Sequence, residues 1–208
     1  MGIDPATRQR IEAIIASNDV VLFMKGTREA PQCGFSATVV GILDGFVADY
    51  ATENVLADHA IREGIKEFSQ WPTIPQLYVR GEFLGGCDIV QELAASGELA
   101  KAIGISAAAP SEPPAIRVTP AAAQALRAAL RSAPDDAVLH LGIDARFQNK
   151  LFFAPRAPHE IGIECEGISL ALDPLSAGRA NGVTIDVVDS PRGSGFRIDN
   201  PNAPVAAG

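Results

Sequence analysis

The chain has 208 residues, a formal charge of −8 and a hydrophobic share of 47%. This length allows one large domain or two small ones, and the hydrophobic share is ordinary for a globular protein. No stretch of the sequence approaches the roughly 20 apolar residues of a membrane helix, and its beginning lacks the basic region and apolar core of a secretory signal. We therefore expect no membrane partner and, by default, a cytoplasmic location.

The acidic charge is shared between the two halves of the chain. Residues 1–105 contain 8 Lys and Arg against 14 Asp and Glu, and the remaining residues contain 9 against 11, which gives −6 and −2. Neither half carries the basic stripe that binds a phosphate backbone. The sequence therefore argues against a nucleic-acid partner.

The first half alternates between helical and strand patterns. Apolar residues recur at helical spacing in Pro5–Ala16, and Val20–Met24 is a short apolar run typical of a buried central strand. A loop over residues 25–32 precedes a second helical pattern from Cys33 to Leu43. The later elements are a strand near Asp49–Val55, a helix over Ile61–Phe68, a hairpin of Gln76–Val79 and Glu82–Leu84, and a helix from about Ile89 to Ala95. This order predicts a small α/β domain.

A change of composition separates the two halves. Residues 105–114 are rich in Ala, Pro and Ser, so we interpret them as a linker between domains at 1–104 and 115–208. In the second domain, Thr119 and Pro120 predict the capped start of a helix that continues over Ala121–Leu130. Strand patterns follow at Ala137–Ile143, Lys150–Phe153, Ile161–Glu164, Ile168–Leu172, Val183–Val188 and Phe196–Ile198. One helix followed by many strands predicts an α+β domain with mostly antiparallel pairing.

Four motifs of the first domain occur together in one protein family. They are Lys25, the Cys-Gly-Phe-Ser run within Pro31–Ser36, the segment Trp71–Leu77, and Gly85–Asp88. Over roughly residues 5–104 the chain therefore resembles the monothiol glutaredoxins. The resemblance implies a thioredoxin-like fold in which the Ile74-Pro75 bond is cis and faces the Cys33 loop.

Cys33 is the expected working residue, both as a nucleophile and as a metal ligand. A cysteine in the first turn of a helix meets unpaired N–H groups that favour the thiolate, and Lys25 would add to this effect. The thiolate is the form that attacks disulfides and binds iron. A dithiol enzyme would carry a second cysteine at position 36, where this chain has Ser36. Any thiol exchange must therefore borrow an outside thiol.

Glutathione is the natural outside thiol, and the resemblance implies where it binds. Its glycine carboxylate would meet Lys25 and Arg62, and its backbone would pair with Ile74. Its γ-glutamyl end would lie on Cys87 and Asp88 at the start of a helix.

Some of these residues also have simpler interpretations. Cys87 could be a second redox thiol that pairs with Cys33, or only a small residue at a helix cap. Arg62 could be a surface ion-pair member, Lys25 a solvated lysine, and Trp71 a packing residue. The sequence leaves these alternatives open.

A [2Fe–2S] cluster bound only by thiolates needs four of them. One domain offers Cys33 and one bound glutathione, so two copies of each complete the set. We therefore expect a cluster-bridged homodimer that delivers its cluster to apo iron–sulfur proteins, with at most weak oxidoreductase activity. Two alternatives are a glutathione-dependent thiol–disulfide oxidoreductase and an adaptor whose cluster senses iron or redox state.

The second domain resembles the A-type iron–sulfur carriers. The resemblance is carried by four segments: Val118–Ala123, Gly167–Pro174, Gly182–Asp186 and Gly195–Ala203. That family binds iron or a cluster through one loop cysteine and a C-terminal Cys-Gly-Cys. This chain has Asp144–Asn149 and Pro204–Gly208 there, without cysteine.

The remaining candidate ligands do not replace those cysteines. Cys165 matches no ligand position of the family, and His140 and His159 lack the spacing of a metal site. We therefore expect no metal site in the second domain. Its expected role is docking, dimerisation, or holding two first domains near each other.

Overall fold

The structure is a computed structural model that describes residues 2–105, 110, 112–190 and 193–204. The chain divides into two compact units, Met1–Ala107 and Ala108–Gly208. Positions 106–109 and 111 of the predicted linker lie outside the described residues. No helix within the described ranges combines the length and the apolar character needed to cross a membrane.

The first unit contains one four-stranded sheet in the order β2-β1-β3-β4. Its strands are β1 (Val20–Met24), β2 (Ala51–Asn54), β3 (Gln76–Val79) and β4 (Glu82–Gly85). Its helices are α1 (Pro5–Ala16), α2 (Gly34–Phe46), α3 (His59–Ser69), α4 (Cys87–Ser96) and α5 (Glu98–Ile103). β1 pairs in parallel with β2 and antiparallel with β3. All five residues of β1 are buried, which explains its continuous apolar sequence.

Alternate residues of β1 face two separate cores, because successive side chains of a strand point to opposite faces. Val20, Leu22 and Met24 pack in one cluster with residues of α2 and α4. Val21 and Phe23 pack in the other cluster with residues of α1 and α3. The sheet is therefore covered by helices on both faces, as expected for an α/β domain.

The predicted bounds are correct where local signals are strong. α1 and β1 begin and end at the predicted residues, and Asp4 caps α1 by accepting hydrogen bonds from the N–H groups of Ala6 and Thr7. α4 begins at Cys87, two residues earlier than predicted. α5, which follows α4 after Gly97 in the left-handed conformation, was not predicted from the sequence.

The second unit is rich in strands. Its strands are β5 (Arg117–Val118), β6 (Ala137–Ile143), β7 (Asn149–Pro155), β8 (Ile161–Cys165), β9 (Ile168–Leu172), β10 (Thr184–Ser190) and β11 (Gly193–Asp199). They form two sheets in the orders β11-β10-β5 and β7-β6-β9-β8. The pairing is mostly antiparallel, as predicted, although β6 with β9 and β10 with β5 are parallel pairs. Leu139 of β6, Leu170 of β9 and Ile185 of β10 belong to one apolar core.

Two helices accompany these sheets. α6 (Pro120–Leu130) has the predicted bounds at its capped start, where Thr119 accepts a hydrogen bond from the Ala122 N–H. α7 (Pro174–Arg179) was missed, although Asp173 and Pro174 repeat the signals of a helix start. A helix of six residues is too short to show an apolar period.

Two helical glycines provide a paired test of the packing in the first unit. A Cβ atom at Gly64 in α3 would lie 2.7 Å from Thr7 Cγ2 and 3.1 Å from Ile11 Cδ1, whereas Gly41 in α2 has open space around it. We expect Gly64→Ala to lower the free energy of unfolding by roughly 1–3 kcal/mol through overpacking. Gly41→Ala should raise it by roughly 0.5–1 kcal/mol through helix propensity.

Urea unfolding followed by tryptophan fluorescence measures both changes, because Trp71 is the one tryptophan of the chain and lies in the first unit. Equal effects of the two substitutions would contradict this account of the contact between α1 and α3.

Candidate functional site

The loop between β1 and α2 folds back on itself like a tight hairpin. The Gln32 N–H donates a hydrogen bond to the Lys25 carbonyl at 2.9 Å, and Thr27 and Ala30 each donate an N–H to the other's carbonyl at 3.2 Å. Between these pairs lies Gly26, which has φ of 88°; a Cβ atom there would collide with the Ala30 carbonyl and lie 2.6 Å from the Gln32 nitrogen. The loop therefore returns the chain to the end of β1 just before Cys33.

Two side chains fix the base of this loop. The Ser36 hydroxyl is fully buried and accepts a hydrogen bond from the Lys25 N–H at 3.1 Å. The Asn54 side chain accepts hydrogen bonds from the N–H groups of Gly26 at 3.0 Å and Leu56 at 3.1 Å. Ser36, which stands where a dithiol enzyme would carry its second cysteine, therefore joins the end of β1 to the first turn of α2.

Cys33 is the N-cap residue of α2, with φ of −156° and ψ of 137°. Cys33 was predicted to lie in the first helical turn, but it lies one position before that turn. An N-cap side chain lies next to the unpaired N–H groups of the first turn, where negative charge is favoured. Cys33 therefore still lies at the predicted start of the helix, although its side chain makes no capping hydrogen bond.

One pocket of about 490 Å³ lies beside Cys33. It is lined by all six residues that the sequence analysis selected: Lys25, Cys33, Arg62, Ile74, Cys87 and Asp88. It is also lined by Phe35, Lys66, Trp71, Pro72, Thr73, Pro75, Gly86 and Ile89. Lys66 was missed, although it follows Arg62 by one helical turn and therefore lies on the same face of α3.

The segment before β3 forms one wall of the pocket. Its Ile74-Pro75 bond is cis, as the resemblance implied. The buried Gln76 side chain holds the segment by donating hydrogen bonds to the carbonyls of Trp71 at 2.9 Å and Thr73 at 3.1 Å. Trp71 packs against Phe83, with ring centres 5.8 Å apart, and also lines the pocket. Trp71 therefore makes the expected packing contact and also lines the pocket.

The charged side chains of the pocket are mostly basic. Lys25, Arg62 and Lys66 supply three cations, and Asp88 supplies one carboxylate. Lys66 Nζ lies 2.7 Å from Glu63 Oε2, and Arg62 Nε lies 3.8 Å from Glu63 Oε1. Arg62 is thus both an ion-pair member and a pocket residue.

The first turn of α4 contributes backbone donors to the pocket. The N-cap of α4 is Gly86, which has no side chain to cap the helix, and both Gly86 and Cys87 line the pocket. The first N–H groups of a helix have no partner within the helix, so an anion can accept hydrogen bonds from them. Cys87 is the first residue of α4 and not its cap, which corrects the sequence-based interpretation.

The two other thiols differ from Cys33 in their surroundings. Cys87 is 8% exposed, and burial raises its pKa, as do the negative charges of Asp88 and Cys33. Cys165 lies at the end of β8 in the second unit, where burial and the neighbouring Glu164 and Glu166 raise its pKa. Both thiols therefore stay protonated at neutral pH.

The histidines of the second unit are not grouped for metal binding. His140 is 4% exposed; its Nδ1 lies 3.1 Å from the Val138 carbonyl and its Nε2 3.1 Å from Glu160 Oε2. Its ring stacks on Phe152 at 4.9 Å, whereas His159 is exposed. The described residues contain no group of three or more His, Cys, Asp or Glu side chains that could hold a metal ion.

The raised pKa of Cys87 can be tested by its reaction with iodoacetamide in a Cys33→Ser/Cys165→Ser chain. Asp88→Asn removes a negative charge that raises this pKa, so the curve of alkylation rate against pH should move to lower pH. Glu98→Gln, which removes a carboxylate in α5, is the matched control and should leave the curve in place. A shift of the Asp88→Asn curve to higher pH would contradict the assigned cause.

Comparison with known proteins identifies relatives of the first unit. The profile of the Glutaredoxin family matches residues 20–84. The chain is 59% identical over 98 residues to monothiol glutaredoxin-5, mitochondrial, of Lachancea kluyveri, a match that covers 46% of this chain and 68% of that protein.

A second relative is shorter. The uncharacterized monothiol glutaredoxin ycf64-like of Synechocystis sp. is 51% identical over 106 residues, which cover 51% of this chain and 99% of that protein. Among solved structures, reduced poplar apo GrxS14 is 49% identical, with a TM-score of 0.45 and coverage of 50% of this chain and 95% of that one. The two curated relatives, at 59% and 51% identity, show that the chain belongs to the monothiol glutaredoxins.

Proposed function

We propose that this protein binds a [2Fe–2S] cluster together with glutathione and delivers the cluster to apo iron–sulfur proteins. The proposal rests on one observation: Cys33, three cations, one carboxylate and the open start of a helix line a single pocket. Glutathione carries one thiol, two carboxylates and one ammonium group. The pocket therefore offers a complementary group for each charge of glutathione, and Cys33 lies beside them.

The charges assign the two ends of glutathione to different parts of the pocket. Lys25 and Arg62 bind the glycine carboxylate, and the Ile74 backbone pairs with the peptide. Asp88 binds the γ-glutamyl ammonium group, while the N–H groups at the start of α4, including that of Cys87, bind the γ-glutamyl carboxylate. A volume of about 490 Å³ lies within the range of small-molecule sites, which supports this assignment.

The number of available thiolates explains why the carrier form is a homodimer. An all-thiolate [2Fe–2S] cluster takes four ligands. Each protomer supplies Cys33 and one bound glutathione, whereas Cys87 and Cys165 have raised pKa values that disfavour the ligand form. Two protomers therefore complete the set. Phe35, two residues after Cys33, is 61% exposed and gives this face an apolar contact for another protein.

Thiol–disulfide exchange is the weaker function of this site. Ser36 is buried and hydrogen bonded, so position 36 has no thiol to resolve a mixed disulfide. The raised pKa of Cys87 makes that thiol a poor substitute. Exchange therefore requires a second glutathione to attack the mixed disulfide, which limits its rate.

For the second domain, 115–208, we propose an A-type carrier-like domain that has lost its cluster ligands and serves for docking. Its candidate loop, Asp144–Asn149, contains no cysteine, and the Asp144 side chain accepts hydrogen bonds from the N–H groups of Arg146 and Gln148 at 2.8 Å. The loop is thus closed by its own hydrogen bonds. The domain selects recipients or keeps two glutaredoxin domains, 1–104, near each other.

Reconstitution tests the carrier function. Apo protein supplied with iron, sulfide and glutathione should develop a visible chromophore and a mass about twice the 21.8 kDa of the chain, but only when glutathione is present. Cys33→Ser should abolish both changes, because it removes two of four cluster ligands from the dimer. Cys165→Ser is the matched control and should retain them. A colourless monomer that rapidly reduces glutathionylated substrates would overturn the proposal in favour of an oxidoreductase.

Truncation tests the docking role separately. A chain ending at residue 105 keeps the first unit, whose length matches that of the Synechocystis relative, so it should still bind the cluster. Cluster transfer to apo recipient proteins should become slower for some recipients than for others, because the docking contacts are lost. Unchanged transfer to every recipient would contradict docking, and failure of both forms to transfer the cluster to any recipient would point to a sensor.

A further inference from the structure

We propose that Arg28 is a positioning residue for the Cys33 pocket, although it does not line the pocket itself. Arg28 lies at the tip of the hairpin-like loop that joins Lys25 to Cys33. The inference rests on the proposed glutathione site, because it concerns how two residues of that site are held in place.

The Arg28 side chain is bound at three places. Its Nε donates a hydrogen bond to Asp44 Oδ1 at 2.8 Å, and its Nη2 lies 2.6 Å from the same oxygen. Its Nη1 donates to the Ala48 carbonyl at 3.2 Å. Its guanidinium carbon lies 4.1 Å from the centre of the Tyr50 ring, and the Tyr50 hydroxyl donates to Asp44 Oδ1 at 3.0 Å.

This cluster is stronger than an ordinary surface ion pair. Exposed pairs contribute little, because water screens them and two long side chains lose freedom. The Arg28 side chain is only 8% exposed, and its planar group makes a charge-assisted contact, a carbonyl contact and a cation–π contact at once. These partners belong to the end of α2 and to the segment between α2 and β2.

The loop is therefore fixed at both ends. Ser36 and Asn54 hold its base, and Arg28 holds its tip against the far end of α2. Between base and tip, three backbone hydrogen bonds join the two arms of the loop, so the loop moves as one unit. Lys25 and Cys33 lie at the base of the loop, so movement of the whole loop would change their positions relative to Arg62 and Asp88. Small displacements of binding groups cost a large part of their effect.

Arg28→Ala tests the proposal in the full-length protein. We expect the Kd for glutathione, measured by calorimetry, to rise about threefold to tenfold. In a Cys87→Ser/Cys165→Ser background, the rate of Cys33 alkylation by iodoacetamide at neutral pH should fall about threefold, because the sulfur is held less firmly at the start of α2. If Arg28→Ala only lowered the stability of the protein, neither readout would change at temperatures well below its unfolding temperature.

Arg8→Ala is the matched control. Arg8 also combines an ion pair, at 3.8 Å from Glu12 Oε1, with a cation–π contact, at 5.4 Å from the Phe68 ring centre, but it is not a pocket residue. This variant should leave both readouts at the wild-type level. Tyr50→Phe keeps the ring and removes the hydroxyl that donates to Asp44. It should change both readouts in the same direction as Arg28→Ala but by a smaller factor. Tyr50→Phe replaces Arg28→Ala as the test if the Arg28→Ala protein does not fold.

Two results would overturn the positioning role. One is an Arg28→Ala protein that melts earlier but keeps the wild-type Kd and alkylation rate. The other is an equal change in the Arg8→Ala protein. Failure of the wild-type protein to bind glutathione would instead refute the proposed function. In that case the alkylation rates alone would test whether Arg28 positions Cys33.

Discussion

The geometry around Cys33 depends on a close contact of the backbone with itself at Gly26. Any side chain at this position would collide with the Ala30 carbonyl, and the φ of 88° is one that other residues rarely adopt. Because the chain can make this turn, Gln32 pairs with Lys25 and the loop ends beside the strand from which it began. Cys33 then starts α2 next to Lys25, and one pocket includes both side chains.

The sequence predicted the elements whose signals are local. α1 was predicted from apolar residues at helical spacing, and β1 from an unbroken apolar run that the two-sided burial of the central strand explains. The pocket residues were predicted from motifs that the chain shares with a protein family. These motifs include residues as far apart in the sequence as Lys25 and Asp88. No local pattern could have joined them.

Other features escaped prediction because they depend on tertiary contacts or on single positions. Arg28, Asp44 and Tyr50 form their cluster across the loop, the last turn of α2 and the segment before β2. Nothing in the spacing of these residues indicates that they meet. The placement of Cys33 at the N-cap, one residue before the predicted turn, is a boundary detail of the kind that hydrophobic periodicity does not resolve.

The buried hydroxyl of Ser36 has a consequence for how this protein can evolve. A Ser36→Cys substitution would place a second thiol three residues after Cys33. However, the Ser36 oxygen accepts the hydrogen bond of the Lys25 N–H, and sulfur is a larger atom and a weaker acceptor. The Ser36→Cys substitution would therefore weaken the hydrogen bond at the end of β1 while it adds the thiol. A dithiol motif at position 36 would thus change the contact that holds Lys25 as well as the chemistry of the site.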